Sequence, residues 1–553
     1  MGFLFLLASL AVQLALMDAS PVARAIDSLP IINTTYGYVK GTYSPYRDGV
    51  TVYKGIPYAN TTAGENRWKA PQATSWDGVL NATTFGLMCA QMPSSAGIFS
   101  TDSTQYSEDC LTLNIWTPAY NDTADVSQKN LAVYFWIFGG RFEGGSGDVK
   151  TYDGSGLASK DIIVVTINYR LGPFGFLAHP ELSTESGHNS SGNYGLLDQQ
   201  FALKWVKDNI GSFGGNPDQI TVGGQSAGSA SALDMMYSPL SSDMVAGVIS
   251  ESGARAPHDP LTGGLATSYR TKAQAEADGV SFLKTMNVTS IAELRTLSTA
   301  ALVAEDSLSD TTYDNTSLAA VSGAFSNPPL WRPIIDGYVL THTYGDALAL
   351  NVHGDVPILT GGNKDESGAS PDPGFNRSSY NTDFSSVFQN FSTEFFTLYP
   401  ASNDTQANDM NNALFRDLNR LSPWLWAKAW SAGGATSNVY LYYWTRDPAE
   451  NSGQGAYHGS ELWYTFNNIP YSDFSNVTWQ AYDYQVEDRM STYWANFIKT
   501  GDPNGGNLTE FPAFSSDSQQ TMWLGETFGS SYLTESAKRM AFLESWMSTL
   551  HEW

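Results

Sequence analysis

The sequence predicts an α/β protein in which a large, mostly parallel central sheet is flanked by helices, with a small antiparallel hairpin at the N-terminus. Residues 131–138 and 162–167 are apolar nearly throughout, which is typical of strands buried on both faces. Residues 196–210 carry apolar side chains three and four positions apart, as expected for an amphipathic helix. Strands that alternate with helices in this way indicate parallel strands joined by crossover helices.

The remaining elements follow from the same periodicities. Residues 34–60 alternate β-forming residues with turns and predict the N-terminal hairpin. Further strands are predicted at 111–116, 356–360 and 439–444, and helical segments at 271–308, 383–434 and 538–551. Because the chain has no internal repeat, low-complexity linker or break in composition, residues 26–553 are predicted to form one domain.

Composition and charge narrow the classes of partner. With 42% hydrophobic residues in a chain of 553, the protein has ample apolar area for a large core. Its formal net charge of −26 argues against binding to nucleic acid, which requires a basic surface, and against docking on anionic membranes. The association of a neutral small molecule is not opposed by this charge, so a neutral substrate is expected.

The N-terminus has the features of a secretory signal peptide, predicted to cover residues 1–25. Residues 3–16 are apolar, and Ala23-Arg24-Ala25 provides a cleavage motif. The apolar run is shorter than the roughly 20 residues that a membrane-spanning helix needs, which argues against a stable membrane anchor. We therefore expect a secreted, extracellular protein.

Two further features agree with export. Sequons for N-linked glycans are spread along the whole chain, and glycans are expected on some of them. The sequon asparagines are Asn33, Asn60, Asn81, Asn121, Asn189, Asn287, Asn315, Asn376, Asn390, Asn403, Asn476 and Asn507. The chain has only 2 cysteines, Cys89 and Cys110, which are expected to pair in an oxidising compartment.

One short stretch indicates nucleophilic chemistry. Gly224-Gln225-Ser226-Ala227-Gly228 follows a β-branched run and leads into a helix-like segment. Gly-x-Ser-x-Gly in that setting is the pattern of a nucleophile elbow, a strained strand-to-helix turn that exposes the serine hydroxyl above a sheet. The glycines are needed because side chains there would collide with the neighbouring strand and helix.

A serine hydroxyl needs a base, and the order along the chain restricts the choice. In proteins with this elbow the order is serine, then an acid, then histidine. The acid is expected on a loop after a strand, where Asp365 and Glu366 both qualify, and position alone does not separate them. Of the 7 histidines, His179, His188, His258, His342 and His353 come too early. His551 lies at a terminus expected to fray, which leaves His458 as the predicted base.

The oxyanion of the tetrahedral intermediate requires backbone N–H donors. One is expected from Ala227, directly after the serine, and the others from the glycine-rich loop Gly139-Gly140-Arg141. The loop lacks the Lys-Ser/Thr of a phosphate-binding P-loop. Two thiols without a nearby histidine make a zinc site implausible, and no cofactor or metal is expected.

The chain resembles the type-B carboxylesterase/lipase family of α/β-hydrolases over nearly all of its predicted mature length. The resemblance is carried by collinear motifs at 55–59, 108–111, 168–172, 192–199, 213–217, 363–366, 458–461 and 500–504, in addition to the elbow. It implies the α/β-hydrolase fold and a triad of Ser226, Glu366 and His458. It also implies an oxyanion hole formed by Gly140, Arg141 and Ala227, a Cys89–Cys110 disulfide that closes a lid-like loop, and a substrate pocket that includes Phe142, Gln225 and Trp331.

Three departures from the family pattern stand out. Arg141 replaces the third glycine of the oxyanion loop, Gln225 replaces a glutamate before the nucleophile, and the cysteines of a second disulfide are missing. Residues 91–109 contain no tryptophan to bind a choline cation, so choline esters are not expected as substrates.

The function that the resemblance implies is a secreted serine carboxylic ester hydrolase that works through an acyl-enzyme intermediate. Neutral esters with short to medium chains are the expected substrates, because the stapled loop is shorter than in the lipases. The alternative is a non-catalytic binding or adhesion member of the same fold. A peptidase is a third interpretation.

Overall fold

Strands and helices alternate through most of the chain. The structure, a computed structural model, describes residues 29–552 except 93–96, 102–104, 120–128, 263–267, 450–452 and 472–477. The strands of this part are β1 (Ile32–Thr34), β2 (Gly37–Lys40), β3 (Thr42–Tyr43), β4 (Val50–Pro57), β5 (Val79–Asn81), β6 (Met88–Cys89), β7 (Tyr106–Ser107), β8 (Thr112–Pro118), β9 (Leu131–Ile137), β10 (Ile163–Ile167), β11 (Gly215–Gln225), β12 (Gly247–Glu251), β13 (Arg270–Thr271), β14 (Ile334–Ile335), β15 (Ile358–Asn363), β16 (Val439–Trp444), β17 (Gln520–Leu524) and β18 (Gly529–Tyr532).

The helices lie in the segments between the strands, and several of them pack on the central sheet. Those of the described residues are α1 (Ser155–Ala158), α2 (Gly172–Phe176), α3 (Pro180–Glu185), α4 (Tyr194–Asn209), α5 (Ala227–Tyr237), α6 (Lys272–Thr285), α7 (Ile291–Leu294), α8 (Thr299–Val303), α9 (Tyr344–Leu350), α10 (Arg377–Phe388), α11 (Ser392–Leu398), α12 (Asp404–Gly433), α13 (Leu462–Thr465), α14 (Ala481–Thr500) and α15 (Ala537–Met547). Local sequence sets their ends. The α6 helix, for example, begins with a capping box between Thr271 and Gln274.

A central sheet of 11 strands runs through the molecule in the order β18-β17-β16-β15-β12-β11-β9-β10-β8-β4-β3. Neighbours from β17 to β10 are parallel. The strands outside them, β18 at one edge and β8, β4 and β3 at the other, pair antiparallel. Every residue of β10 is buried and all but the first of β9, as their apolar sequences predict. The predicted fold class, a mostly parallel sheet flanked by helices, is therefore confirmed.

The N-terminal region differs in detail from the predicted hairpin. Strands β1 and β2 form a hairpin, but β5 joins them to complete a separate sheet of 3 strands. Strand β4, which falls in the second half of the predicted segment, pairs with β8 and belongs to the central sheet. Of its 8 residues 5 are buried, among them the apolar Val50, Val52, Tyr53 and Ile56, so the strand packs in the main core.

Two elements near the site, β12 and α14, were not predicted. Strand β12 has only 5 residues, and so short a run gives little periodicity. Helix α14 does carry a helical signal, because its buried residues Val486, Met490, Tyr493, Trp494 and Phe497 recur at intervals of three and four. Interspersed tyrosines and charged residues mask that pattern.

The parallel strands bring distant parts of the chain to one edge of the sheet. Ser226 directly follows β11, Glu366 lies just beyond β15, and His458 lies in the segment after β16. The described residues from Ile31 onward form one compact unit. The predicted signal peptide, residues 1–25, and the sequons at Asn121 and Asn476 lie outside the described residues. None of the helices that the structure describes is long and apolar enough to cross a membrane.

Candidate active site

Ser226 occupies a strained turn between β11 and α5. Its backbone has φ 59° and ψ −126°, a conformation that residues with a side chain rarely adopt. A Cβ atom on Gly224 would lie 2.2 Å from the carbonyl oxygen of Gly228, and one on Gly228 would lie 2.1 Å from that of Ile137. The Ser226 N–H donates to the carbonyl of Glu251 at 2.8 Å. Both glycines are therefore required for strand, turn and helix to approach this closely.

Glu366 and His458 are in direct contact. His458 Nδ1 hydrogen-bonds to Glu366 Oε2. The other carboxylate oxygen accepts hydrogen bonds from the Asn363 backbone N–H at 2.7 Å and from Ser252 Oγ at 3.1 Å. The Glu366 side chain is completely buried, whereas that of His458 is 31% exposed. The carboxylate thus fixes the tautomer of a ring whose other nitrogen, Nε2, faces away from Glu366.

Asp365, the alternative acid, has different partners. Its carboxylate forms an ion pair with Arg416 on α12. It also accepts the backbone N–H of Ala456 at 2.9 Å, in the segment that carries His458. The structure therefore brings Glu366, and not Asp365, to the histidine ring, while Asp365 ties down the base of the histidine segment.

The protonation equilibria of the contacting pair follow from burial and mutual attraction. Burial alone would raise the pKa of Glu366, but the His458 ring and the Asn363 N–H outweigh it, so the pKa lies below its ordinary value. Burial alone would lower the pKa of His458, but the Glu366 carboxylate outweighs it, so that pKa lies above its ordinary value. The acid is ionised near neutral pH, and the ring holds a proton more readily than free histidine does.

Gln225 lies between the nucleophile and the base. Its side-chain nitrogen Nε2 is 3.0 Å from His458 Nε2, the nitrogen that a serine nucleophile would use. Within the described part of the chain no hydrogen bond is made by Ser226 Oγ. The Ser226 residue is 7% exposed and adjoins Gln225 directly, so the ring lies at the elbow.

The loop after β9 passes against the nucleophile. A Cβ atom on Gly139 would lie 2.3 Å from the Gln225 carbonyl oxygen and 3.1 Å from Ser226 Cβ. Among the residues that the structure describes, the backbone N–H groups of Gly140 and Ala227 donate to no other group. One free N–H donor, that of Ala227, therefore lies at the elbow, and the other, that of Gly140, lies in the loop packed on it. An oxyanion hole requires donors of this kind.

Arg141 takes a left-handed conformation with φ 58°. Its guanidinium forms an ion pair with Glu143 at 3.4 Å and donates to the carbonyl of Asn327 at 3.3 Å. The side chain thus links the oxyanion loop to the loop that leads to Trp331. Its backbone follows the course that a glycine would take, at the cost of an unfavourable φ.

The predicted pocket residues differ in their surroundings. Gln225 contacts His458, as described above. Phe142 is completely buried against Phe176, with ring centroids 4.9 Å apart. Trp331 is also completely buried, and its indole N–H donates to the Glu305 carbonyl at 2.7 Å. Phe142 and Trp331 are thus packed in the core.

The disulfide between Cys89 and Cys110 is present and closes a loop with a sequence separation of 21. This loop reaches the histidine segment. A Cβ atom on Gly459, the residue after His458, would lie 2.5 Å from Cζ of Phe99. The stapled loop therefore packs against the residues that carry the base.

Two buried carboxyl groups near the triad were missed by sequence reasoning. The Glu251 side chain accepts the Trp494 indole N–H at 3.0 Å, and Glu461 accepts from the Asn363 amide. Burial raises the pKa of Glu461 to about 7, and burial together with Glu461 raises that of Glu251 well above its ordinary value. The second oxygen of each has no hydrogen-bond partner among the described residues. Position 461 belongs to a family motif, but nothing in the sequence indicates its proximity to Glu251.

Metal ligands are not clustered here. The part of the chain that the structure describes contains no group of three or more histidine, cysteine, aspartate or glutamate side chains that could hold a metal ion. The arrangement that is present, a buried acid, a histidine and a strained serine beside free N–H donors, suits nucleophilic acyl transfer.

The chain is similar to known proteins over most of its length. A profile of the carboxylesterase family matches residues 28–542. The para-nitrobenzyl esterase of Bacillus subtilis is 33% identical over 93% of this chain and 99% of its own length. The fumonisin B1 esterase of Sphingopyxis macrogoltabida is 32% identical over 90% of this chain and 87% of its own. Mouse cholinesterase is 31% identical over 89% of this chain and 83% of its own.

Solved structures give the same result for the fold. A structure of PNB esterase superposes with a TM-score of 0.71 at 30% identity, covering 93% of this chain and 99% of that one. A carboxylesterase of Geobacillus stearothermophilus superposes with a TM-score of 0.70 at 30% identity, covering 91% and 97%. The fold is the α/β-hydrolase fold, and the chain belongs to the carboxylesterase family, a family of carboxylic ester hydrolases.

Proposed function

We propose that this chain is a secreted serine esterase whose catalytic residues are Ser226, Glu366 and His458. The observation that carries the proposal is the buried Glu366–His458 contact, which leaves the second ring nitrogen at the elbow of the strained Ser226. A carboxylate that fixes the tautomer of a histidine beside a serine is the arrangement that activates a serine hydroxyl.

The reaction proceeds in two halves. Ser226 Oγ attacks the ester carbonyl carbon while His458 Nε2 takes the hydroxyl proton, and the carbonyl oxygen becomes an oxyanion held by the N–H groups of Gly140, Arg141 and Ala227. The C–O bond to the alcohol then breaks, and His458 returns the proton to the leaving alkoxide. A water molecule, deprotonated by the same ring, repeats these steps on the acyl-enzyme and releases the carboxylic acid.

The proposed substrates are neutral esters with short to medium acyl chains. The net charge of −26 disfavours anionic substrates at long range. The stapled loop packs on the histidine segment through Phe99 and Gly459, which favours a confined substrate. Arg141 bridges the oxyanion loop and Asn327 on the opposite loop, which favours a restricted acyl side.

Secretion and N-glycosylation form part of the proposal. Each sequon asparagine that the structure describes is exposed, which an acceptor for a glycan must be. The disulfide is compatible with an oxidising compartment. Expression in a eukaryotic host with its N-terminus intact is expected to give glycosylated protein in the medium. Intracellular, unmodified protein would contradict this part.

The decisive experiment is Ser226→Ala, assayed on p-nitrophenyl acetate and butyrate. Hydrolysis is expected to fall to background in a protein with unchanged thermal unfolding, and Ser229→Ala, in the first turn of α5, serves as the control. A fluorophosphonate probe separates the proposal from the alternative of a non-catalytic binding protein, because only an activated serine reacts. Comparison of ester and amide analogues of the same acyl group tests for peptidase activity. Turnover that survives in purified Ser226→Ala protein would refute the proposal.

A further inference from the structure

Gln225 makes the contact with His458 that a serine nucleophile also requires. His458 Nδ1 is engaged by the Glu366 carboxylate, which can only accept, so that nitrogen carries the ring proton. In the neutral ring Nε2 is therefore unprotonated, and the group facing it at 3.0 Å must be the NH2 of the Gln225 amide. The amide hydrogen points into the lone pair that later accepts the proton of Ser226.

We propose that Gln225 is a positioning residue that favours the neutral, basic form of the His458 ring and so helps to set the lowest pH at which the enzyme works. This inference rests on the proposed function. The contact as formed exists only with the neutral ring, because a protonated Nε2 would point a hydrogen at the amide hydrogens. Protonation of the ring requires the amide to turn and present its oxygen, or to withdraw, and either change opposes protonation.

The charges around the ring explain why a neutral side chain at position 225 matters. Glu366 and Glu461 favour the protonated ring, while Arg255 opposes it. The Arg255 guanidinium is held by Asp259 at 2.9 Å and by the Asn419 side chain at 2.8 Å. With two carboxylates already favouring a charged ring, an amide that favours the neutral form counteracts them.

The strand register adds a second reason. Gln225 in β11 is the direct Cα partner of Glu251 in β12, so the two side chains lie on the same face of the sheet. Glu251 and Glu461 are completely buried, and each has an oxygen without a partner among the described residues. A glutamate at position 225 would add a third carboxyl group to this layer, whereas the amide adds no charge and provides a donor.

The contact also has a kinetic consequence. Gln225 and Ser226 compete for the same lone pair on Nε2, so the amide must leave before the hydroxyl can transfer its proton. Gln225 therefore covers the base in the resting enzyme. The Gln225 amide must therefore move away from Nε2 when a substrate binds and reacts.

Three substitutions test the proposal. Gln225→Met keeps the length of the side chain and removes the donor, Gln225→Asn keeps the amide but is one methylene too short to reach the ring, and Gln225→Glu can only accept. We measure kcat/KM for p-nitrophenyl butyrate against pH, together with thermal unfolding. The apparent pKa of the acid limb is expected to rise by about half to one pH unit in the Met and Asn variants, as expected for the loss of one hydrogen bond. It is expected to rise by about one to three units in the Glu variant, because a carboxylate favours the charged ring.

An activity-independent readout keeps the inference separate from the proposed function. In a Ser226→Ala background, the His458 ring is titrated by NMR with 13C-labelled histidine and assigned by comparison with His458→Gln. The ring pKa is expected in the order Gln225 lowest, Met and Asn higher, and Glu highest. Profiles and titrations of the Met and Asn variants that superimpose on those of the native residue would overturn the inference, even if the Glu variant fails to fold. If the native protein instead fails to react with the fluorophosphonate while the ring pKa keeps this order, the proposed function fails and the positioning role stands.

Discussion

The close packing at the elbow makes Gly224→Ala the sharpest structural test of the site. The added Cβ would lie 2.2 Å from the Gly228 oxygen, 2.3 Å from its carbonyl carbon and 2.6 Å from the Ile137 oxygen. All three atoms belong to the backbone, so no side chain can rotate away. Ordinary carbon–oxygen contacts are about 3.3 Å or longer, and the strand and helix must therefore separate by about 1 Å.

That separation has two measurable effects. Overpacking of this kind costs about 1–3 kcal/mol of the free energy of unfolding. A displacement of about 1 Å at the nucleophile is expected to lower kcat/KM about 100-fold. The assay is p-nitrophenyl butyrate hydrolysis together with thermal unfolding. Gly211→Ala is the matched control, because no atom outside its immediate neighbours lies within 4 Å of an added Cβ. Activity of Gly224→Ala within threefold of the native protein, with an unchanged unfolding midpoint, would refute the steric reasoning.

Three other predictions concern neighbouring features. Glu366→Gln removes the charge that fixes the ring tautomer, so kcat is expected to fall about 1,000- to 10,000-fold. Asp365→Asn is expected to lower thermal stability with a much smaller loss of kcat. Equal losses of kcat in the two variants would contradict the assignment of Glu366 as the acid. Replacing Cys89 and Cys110 together by serine is expected to lower the free energy of unfolding by about 3 kcal/mol, because the bond closes a loop with a separation of 21 residues, and an unchanged denaturation midpoint would argue against this. Arg141→Gly is expected to keep the rate within about tenfold and to extend activity to longer acyl chains in a p-nitrophenyl ester series; an unchanged rate and chain preference would show that the arginine restricts nothing.

Local patterns were sufficient for the elements that dominate the fold. Strands β9 and β10 can be recognised from their continuous apolar sequences. Parallel strands that are covered on both faces do not need polar residues at alternate positions. Strand β12 was too short to be recognised, yet it supplies Glu251 and pairs with β11. That Glu251 lies beside the strand of the nucleophile is therefore visible only in the assembled sheet.

The choice between Asp365 and Glu366 shows where reasoning from position alone stops. The two residues are adjacent on one loop, and the sequence motif carried the choice only through the family resemblance. In the structure Asp365 pairs with Arg416, which lies on a distant helix, and Glu366 contacts His458, 92 residues further along the chain. Which of the two carboxylates contacts the histidine is decided by tertiary packing, and the local sequence does not indicate it.

Gln225 shows a related limit. The sequence marks this residue as a departure from the family pattern, but its contact with His458 spans 233 positions and depends on the side-chain conformation. Phe142 and Trp331 were predicted as pocket residues through the family resemblance, and the sequence did not indicate that both would be completely buried. Aromatic side chains are favoured in the core, since they bury a large apolar area.

The backbone conformation at Ser226 has a consequence for any attempt to improve this protein. At φ 59° and ψ −126° a residue with a side chain costs about 1–3 kcal/mol relative to an unstrained one. Glycine is the residue that tolerates this geometry best, so Ser226→Gly is expected to unfold at a higher temperature than the native chain. Directed evolution that selects for heat resistance alone would therefore favour loss of the nucleophile. A screen on this scaffold must score hydrolysis and thermal survival together, because at this position they oppose each other.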